Sequence, residues 1–325
     1  MRVLMVAPEL PSLQRPGSMA PTARQIDSIE AMGMSVQTLE MKGRRIFKYL
    51  QVLPLLHGLS RSVDIVHAHF GFCGWIARSQ KRAPVVISFM GDDLLGTPKE
   101  NGQLEYLSQV FVQINRRFAK HMDSVIVKSA EMASVIAPIE AHIIPNGVDL
   151  DRFRPSSRQA ARTKLGWKPA ETYVLFPGNP ANPRKGFSLA REIIDHAAKR
   201  LGYRPILVPL WGVSPDQVPT YMNACNAMLM TSLVEGSPNV VKEAMACNLP
   251  IASVSVGDVP ELFEGIIGYE IRPRRPQRLA DALYDVLNTI SDVDGRKAIK
   301  EKGLDKVNVA KRVIKVYESV LASSS

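Results

Sequence analysis

Glu235 and Glu243 stand eight residues apart on either side of a Gly-Ser-Pro turn, within the run TSLVEGSPNVVKEAMACNLPIASVSVGDVP at 231–260. The run reads as strand, polar turn, helix and strand. Ser237 is a natural N-cap and Pro238 suits the first helical position, where its missing N–H costs nothing, so a helix is expected to start there. The first turn of such a helix, at Asn239 and Val240, leaves amides unpaired beside the positive end of its dipole. That is a ready site for a phosphate or diphosphate. Gly236 lets a ligand come close to the backbone. One carboxylate before the site and another two turns into the helix can accept hydrogen bonds from sugar hydroxyls on either side of a diphosphate. The ligand that fits this description is a nucleotide-sugar donor.

The elements that must hold these residues come from a repeated pattern. Short apolar runs alternate with helical patterns, which predicts parallel sheets with helices on both faces. In the first half the strands are expected near 3–7, 36–39, 64–67, 85–89, 124–127 and 142–144. The pattern restarts with TYVLFPGN at 172–179 and continues at 206–209, 227–231 and 250–254. Each half opens with a strand that runs into a Gly-containing loop and then a helix, so two Rossmann-like domains are predicted. Gly147 and two prolines in PNGVDLDRFRPSS break the periodicity and place the boundary at 153/154. A last helix near 308–321 carries Val309, Val313, Val316 and Val320 at helical spacing. Because ligands of such sheets bind beyond the carboxyl ends of the strands, the two domains are expected to enclose the substrates in a cleft.

Composition narrows the class. The chain has 325 residues, 46% hydrophobic and 22% charged, with a net charge of +10 spread over both halves. No apolar run approaches the roughly 20 residues that span a bilayer. The start MRVLMVAPEL reads as a buried strand and not a signal peptide. Cys73, Cys225 and Cys247 form no CxxC pair and suit small buried residues in a reducing cytoplasm. Aromatic residues are 6% of the chain, so no stacking surface for nucleic acid is evident. One stretch, 41–61, carries Lys42, Arg44, Arg45, Lys48 and Arg61 with no acid, interleaved with large apolar residues. It reads either as a basic amphipathic helix lying on an anionic membrane or as a helix packing one face on a sheet.

With DIVHAHFG at 64–71, IIPNGVDLDRF at 143–153, PRKGF at 183–187 and EAMACNLPI at 243–251, the chain resembles glycosyltransferase family 4, retaining enzymes of the GT-B fold whose signature is E-x7-E. The resemblance implies an α/β architecture of two Rossmann-like domains facing across a cleft: an acceptor domain at 1–153, a donor domain at 154–307, and a helix at 308–325 crossing back to the first. It implies that Lys185 and Arg184 meet the donor diphosphate, with Arg184 taking the part of an arginine that relatives place where Asn179 stands here. Gly17 and Gly178 would bring loop amides to the phosphates, and backbone near Val213 would read the base. Glu235, Gly236, Ser237, Pro238, Asn239, Val240 and Glu243 complete the donor set, with Glu235 toward the sugar and Glu243 toward the ribose. Relatives have a histidine where this chain has Met90, which cannot donate a hydrogen bond or hold a proton. The expectation is that His69 or Asp93 supplies that contact or that the enzyme tolerates its absence, and the catalytic candidates are Glu235, Lys185, Arg184, His69 and Asp93.

The implied reaction is transfer, with retention, from a UDP- or GDP-sugar to a glycan or lipid-linked acceptor in cell-surface polysaccharide or glycolipid synthesis. It runs in the cytoplasm or on the inner face of the plasma membrane, with no cofactor beyond the donor and no nucleic-acid partner. No metal is assigned: the Asp-Xaa-Asp matches at Asp149–Asp151 and Asp292–Asp294 lie away from the donor loop. Two alternatives remain open. One is a catalytically impaired sugar-nucleotide-binding protein, and the other a nucleotide-sugar epimerase.

Overall fold

The computed structural model describes residues 1–12, 17–42, 47–99, 101–288 and 293–324. The chain divides into two compact bodies. The first comprises Met1–Gly96, Glu105–Gly147 and Lys306–Ser325, and the second Thr97–Leu104 and Val148–Asp305. The break expected at 153/154 falls earlier, at Gly147/Val148, because Val148 and Phe153 are both buried in the second core.

The first body holds strands β1 (Arg2–Ala7), β2 (Ser35–Glu40), β3 (Ile65–His69), β4 (Val85–Ser88), β5 (Ser124–Val127) and β6 (His142–Ile143). They form one parallel sheet in the order β2-β1-β3-β4-β5-β6. The central strands are unbroken buried runs, IVHAH in β3 and VVIS in β4, as expected where helices cover both faces. On one face the helix Phe47–Leu59 buries Val52 and Leu56 against Leu4, Val6, Val66 and Ala68. This is the sheet-packing arrangement for that part of 41–61; Leu55 points outward, 59% exposed, and Arg44 and Arg45 lie outside the described residues.

The other face takes the C-terminal helix, Lys306–Ser324, three residues longer at its C-terminal end than the sequence pattern suggests. Val309, Val313, Val316, Tyr317 and Val320 follow helical spacing and are buried with Val3, Met5, Ile65, Val86 and Ile126 of the sheet. Each fully buried aliphatic side chain of this kind contributes roughly 1.5–3 kcal/mol. The chain therefore crosses back to the first body to complete its core.

The second body holds β7 (Tyr173–Phe176), β8 (Ile206–Pro209), β9 (Ala227–Met230), β10 (Ile251–Ser253) and β11 (Tyr269–Ile271), all parallel in the order β11-β10-β9-β7-β8. Sequence reading missed β11, an edge strand between Gly268 and Arg272 whose central residue is Glu270, so that it leaves no apolar run. From β7 the chain steps to β8 on one side, then crosses to β9 on the other. The topological switch point thus lies between β7 and β9, where open α/β sheets bind ligands.

Candidate active site

At that switch point the loop after β7 and the loop after β9 are tied together. Asn182 accepts the Arg184 N–H and caps a short turn, Pro183–Lys185, which Gly186 ends at φ +70. A side chain at Gly186 would stand 2.7 Å from the Thr231 carbonyl oxygen, so only glycine allows this approach. Thr231 Oγ1 donates to the Lys185 carbonyl at 2.8 Å, and the Leu233 N–H donates to the Arg184 carbonyl at 2.8 Å. Gly178 leaves room for the stem of Lys185, whose Cγ would lie 3.0 Å from any Cβ there. The outcome is a Lys185 Nζ that donates to Glu235 Oε1 at 2.6 Å, with Arg184 reaching Glu235 Oε2 at 3.3 Å and the Val234 carbonyl at 3.2 Å. Burial opposes ionisation of Glu235, but the Lys185 ammonium and the Arg184 guanidinium outweigh it and hold the carboxyl below its usual range. Three of the sequence-assigned catalytic groups are therefore in mutual contact, although Glu235 and its cations are 50 residues apart in the chain.

The turn that follows corrects one expectation. Ser237 is not the N-cap: the helix runs Asn239–Ala246, Pro238 occupies the cap position, and no side chain caps it. The Ser237 hydroxyl instead donates to Asp258 Oδ2 at 2.6 Å and accepts from Lys242 Nζ at 2.7 Å. Among the described residues the N–H groups of Gly236, Ser237, Asn239 and Val240 donate to nothing. The turn is pressed from behind by Gly257, where a Cβ would stand 2.6 Å from the Gly236 carbonyl oxygen. Glu243 is buried in the helix and Val213 half-buried in the loop after β8, next to Trp211, which is 64% exposed. Beside this region, at the carboxyl ends of β9, β10 and β11, a cavity of about 390 Å³ is lined by Ser232, Leu233, Val256, Arg272 and Arg274.

Lys242 and Asp258 were not singled out by sequence reasoning. The available signal was a lysine at a position flanked by Val241, Ala244 and Met245, all of which face the core.

The remaining sequence candidates belong to the first body. Gly17 follows residues 13–16, which lie outside the described residues, and has open space around it. His69 ends β3 with no exposure, and neither ring nitrogen has a hydrogen-bond partner. Burial, then the neighbouring His67 and Lys128, keep it neutral, with a pKa well below the usual imidazole range. His67, 4.3 Å away between ring centroids, is engaged on both sides, Nδ1 with the Tyr317 hydroxyl at 2.6 Å and Nε2 with Ser88 Oγ at 2.9 Å. Phe70, which follows His69, has φ +81, a strained value for a bulky residue. Asp93 is a loop anchor: its two oxygens accept the N–H groups of Met90, Gly91 and Gly71. Its burial raises the carboxyl to about 6 against the pull of those amides. Of the two groups offered in place of a histidine at Met90, His69 has unengaged ring nitrogens and Asp93 has both oxygens occupied by backbone. Of the Asp-Xaa-Asp matches, Asp149 accepts the N–H groups of Asp151 and Arg152 in a turn, and Asp292 lies outside the described residues.

Comparison with known proteins bears on the family and the fold. The family model for Glycosyltransferase Family 4 matches residues 8–152, and the model for Glycosyl transferases group 1 matches 178–289. Among curated relatives, TuaC of Bacillus subtilis strain 168, provisionally named a teichuronic acid biosynthesis glycosyltransferase, is 25% identical over 240 residues, 68% of this chain. The chain spans about 60% of that relative's length. Among solved structures, a sucrose-phosphate synthase from Thermosynechococcus elongatus superposes with a TM-score of 0.75 at 15% identity, covering 99% of this chain and 100% of that one. Anabaena HepE in complex with UDP-glucose superposes at 0.69 with 18% identity, covering 98% and 100%. With the two family models together matching 8–152 and 178–289, and the fold shared with these structures, the chain belongs to the GT-B glycosyltransferases of family 4.

Proposed function

We propose that the protein transfers a sugar, with retention of anomeric configuration and without a divalent metal, from a UDP- or GDP-sugar to a glycan or lipid-linked acceptor in cell-surface polysaccharide or glycolipid synthesis. The observation that carries the reading is the Lys185–Glu235 contact of 2.6 Å, joined by Arg184, beside a turn with open amides. Two cations and an amide turn suit a diphosphate, and a carboxylate between them suits a sugar hydroxyl. A UDP-glucose complex of a protein with the same fold and the teichuronic acid name of a relative support the donor and acceptor classes.

In the reaction, the bond from the anomeric carbon to the donor phosphate oxygen breaks. The acceptor oxygen bonds to that carbon on the same face, and its proton passes to an oxygen of the departing phosphate. Lys185 and Arg184 neutralise the charge that develops on the nucleoside diphosphate. No protein nucleophile takes part, so Met90 is compatible with turnover. The test is a panel of UDP- and GDP-sugars, read first by thermal shift and then by transfer assay with the product anomer assigned by NMR. A bound donor at 100 times its dissociation constant adds about 2.7 kcal/mol of stability. Retention with chelator present is expected; an inverted anomer, or activity that returns only with a divalent ion, refutes the mechanism. Donor binding with neither transfer nor hydrolysis instead favours the impaired binding protein, to which Met90 points.

The site of action is the cytoplasm, at an anionic membrane surface reached through residues 41–61. The pull is electrostatic, about 1 kcal/mol per basic residue near the surface and screened within a Debye length. Cosedimentation with anionic liposomes is therefore expected at low salt and not at high salt. It should be lost when Arg44, Arg45 and Lys48 are changed to Glu. Equal binding by wild type and variant means that 41–61 is an ordinary solvated face.

A further inference from the structure

Helix Asn239–Ala246 begins with no side-chain cap, although Ser237 stands one residue before Pro238 and could serve. If the helix began one residue earlier, Pro238 would take the first helical position it favours. Ser237 Oγ would then accept the N–H of Asn239 or Val240. Two buried groups hold the hydroxyl elsewhere. Helical side chains lean back toward the N-terminus, and Lys242, with no exposure, uses that direction to place Nζ 2.7 Å from Ser237 Oγ. Asp258, 8% exposed, takes the hydroxyl proton on Oδ2 at 2.6 Å. A hydroxyl has one proton and two lone pairs; here the proton goes to Asp258 and one lone pair to Lys242, and these two partners, not a helix N–H, set where Oγ points. Asp258 Oδ1 and Asn239 Oδ1 are buried without partners, so the region carries unused polar capacity next to its open amides.

A buried lysine and a buried aspartate bridged by one hydroxyl are weak evidence for stability, because well-packed apolar residues commonly replace such buried charges at no cost. The two residues orient the Ser237 hydroxyl, which would otherwise be placed to cap the helix start. We infer that Lys242 and Asp258 are positioning residues that withhold Ser237 from the helix N-terminus and so keep the amides of Asn239 and Val240 open for the donor diphosphate. The inference rests on the reading of this turn as the diphosphate site, and it deepens that reading. The pair touches no reacting atom; it acts through Ser237.

The test removes both charges together, so that neither is left buried alone. In Lys242→Met/Asp258→Leu, Ser237 is free to cap, the helix gains a residue, and affinity for nucleoside diphosphate should fall tenfold or more while affinity for the bare nucleoside stays the same. Thermal stability should hold or rise. Adding Ser237→Ala removes the competing hydroxyl and should restore most of the lost affinity; a purely structural or electrostatic role for the pair predicts no rescue. A second readout needs no ligand: amide hydrogen exchange at Asn239 and Val240 should be fast in wild type, slow in the double variant and fast again in the triple. Unchanged diphosphate affinity in the double variant, a triple variant as weak as the double, or equal exchange in all three overturns the inference. If wild type binds no nucleoside diphosphate, the donor reading fails, and the exchange series alone judges whether Ser237 is withheld.

Discussion

Replacing Glu235 with alanine is expected to separate the two halves of donor recognition. Lys185 and Arg184 are both spent on this carboxylate, at 2.6 and 3.3 Å, so removing it releases two cations toward phosphate. Affinity for the free nucleoside diphosphate should therefore hold or improve. Turnover of the sugar nucleotide should drop about 10- to 150-fold, the equivalent of the roughly 1.5–3 kcal/mol of a hydrogen bond to a charged group. Calorimetry with both ligands, beside a transfer assay, reads the two effects. Glu235→Gln keeps the shape of the side chain and controls for collapse of the turn. Parallel loss of both affinities would mean that Glu235 only holds the turn together.

Lys185→Ala is expected to act on the chemical step. Its charge is most useful when the leaving diphosphate gains negative charge, so kcat should fall by about 10²- to 10³-fold at saturating donor, the usual loss when one such donor is removed. The variant should also change the pH profile. In wild type Glu235 ionises below its ordinary range, and its contribution is lost only as pH falls through that depressed value. Without Lys185, burial, the largest influence on this carboxyl, is opposed by Arg184 with no help from the ammonium, so the acid limb of kcat/KM should move to higher pH. A drop in donor affinity with kcat and acid limb both unchanged would show that Lys185 serves binding alone.

The architecture was largely legible because buried parallel strands leave unbroken apolar runs such as VLMVA and YVLF, and the chain restarts that pattern at Tyr173. β11 was not legible, since YEI has a glutamate at its centre and only Tyr269 buried, so it leaves no apolar run. In the site, residue types and spacing pointed to Glu235, and the family resemblance to Lys185. Their direct contact was hidden, because it depends on the Thr231 and Leu233 hydrogen bonds that strap one loop to the other. Ser237 shows how a local rule can be right about preference and still lose. Its capping propensity is real, but a lysine five residues on and an aspartate 21 residues on claim the hydroxyl first, and only tertiary structure brings all three together.

The return of Lys306–Ser324 to the first body has a consequence for biosynthesis. Residues 1–147 emerge from the ribosome first, yet Val3, Met5, Ile65 and Val86 must wait for Val313, Val316 and Tyr317 before that face of the sheet is covered. Translation of the intervening residues at about 5–20 per second leaves this apolar surface open for roughly 10–30 seconds. The core of the second body is built almost wholly from Val148–Leu304 and can close in the meantime. The later-made half is therefore able to close first, and during that interval the earlier-made half carries the exposed apolar surface that a chaperone would recognise.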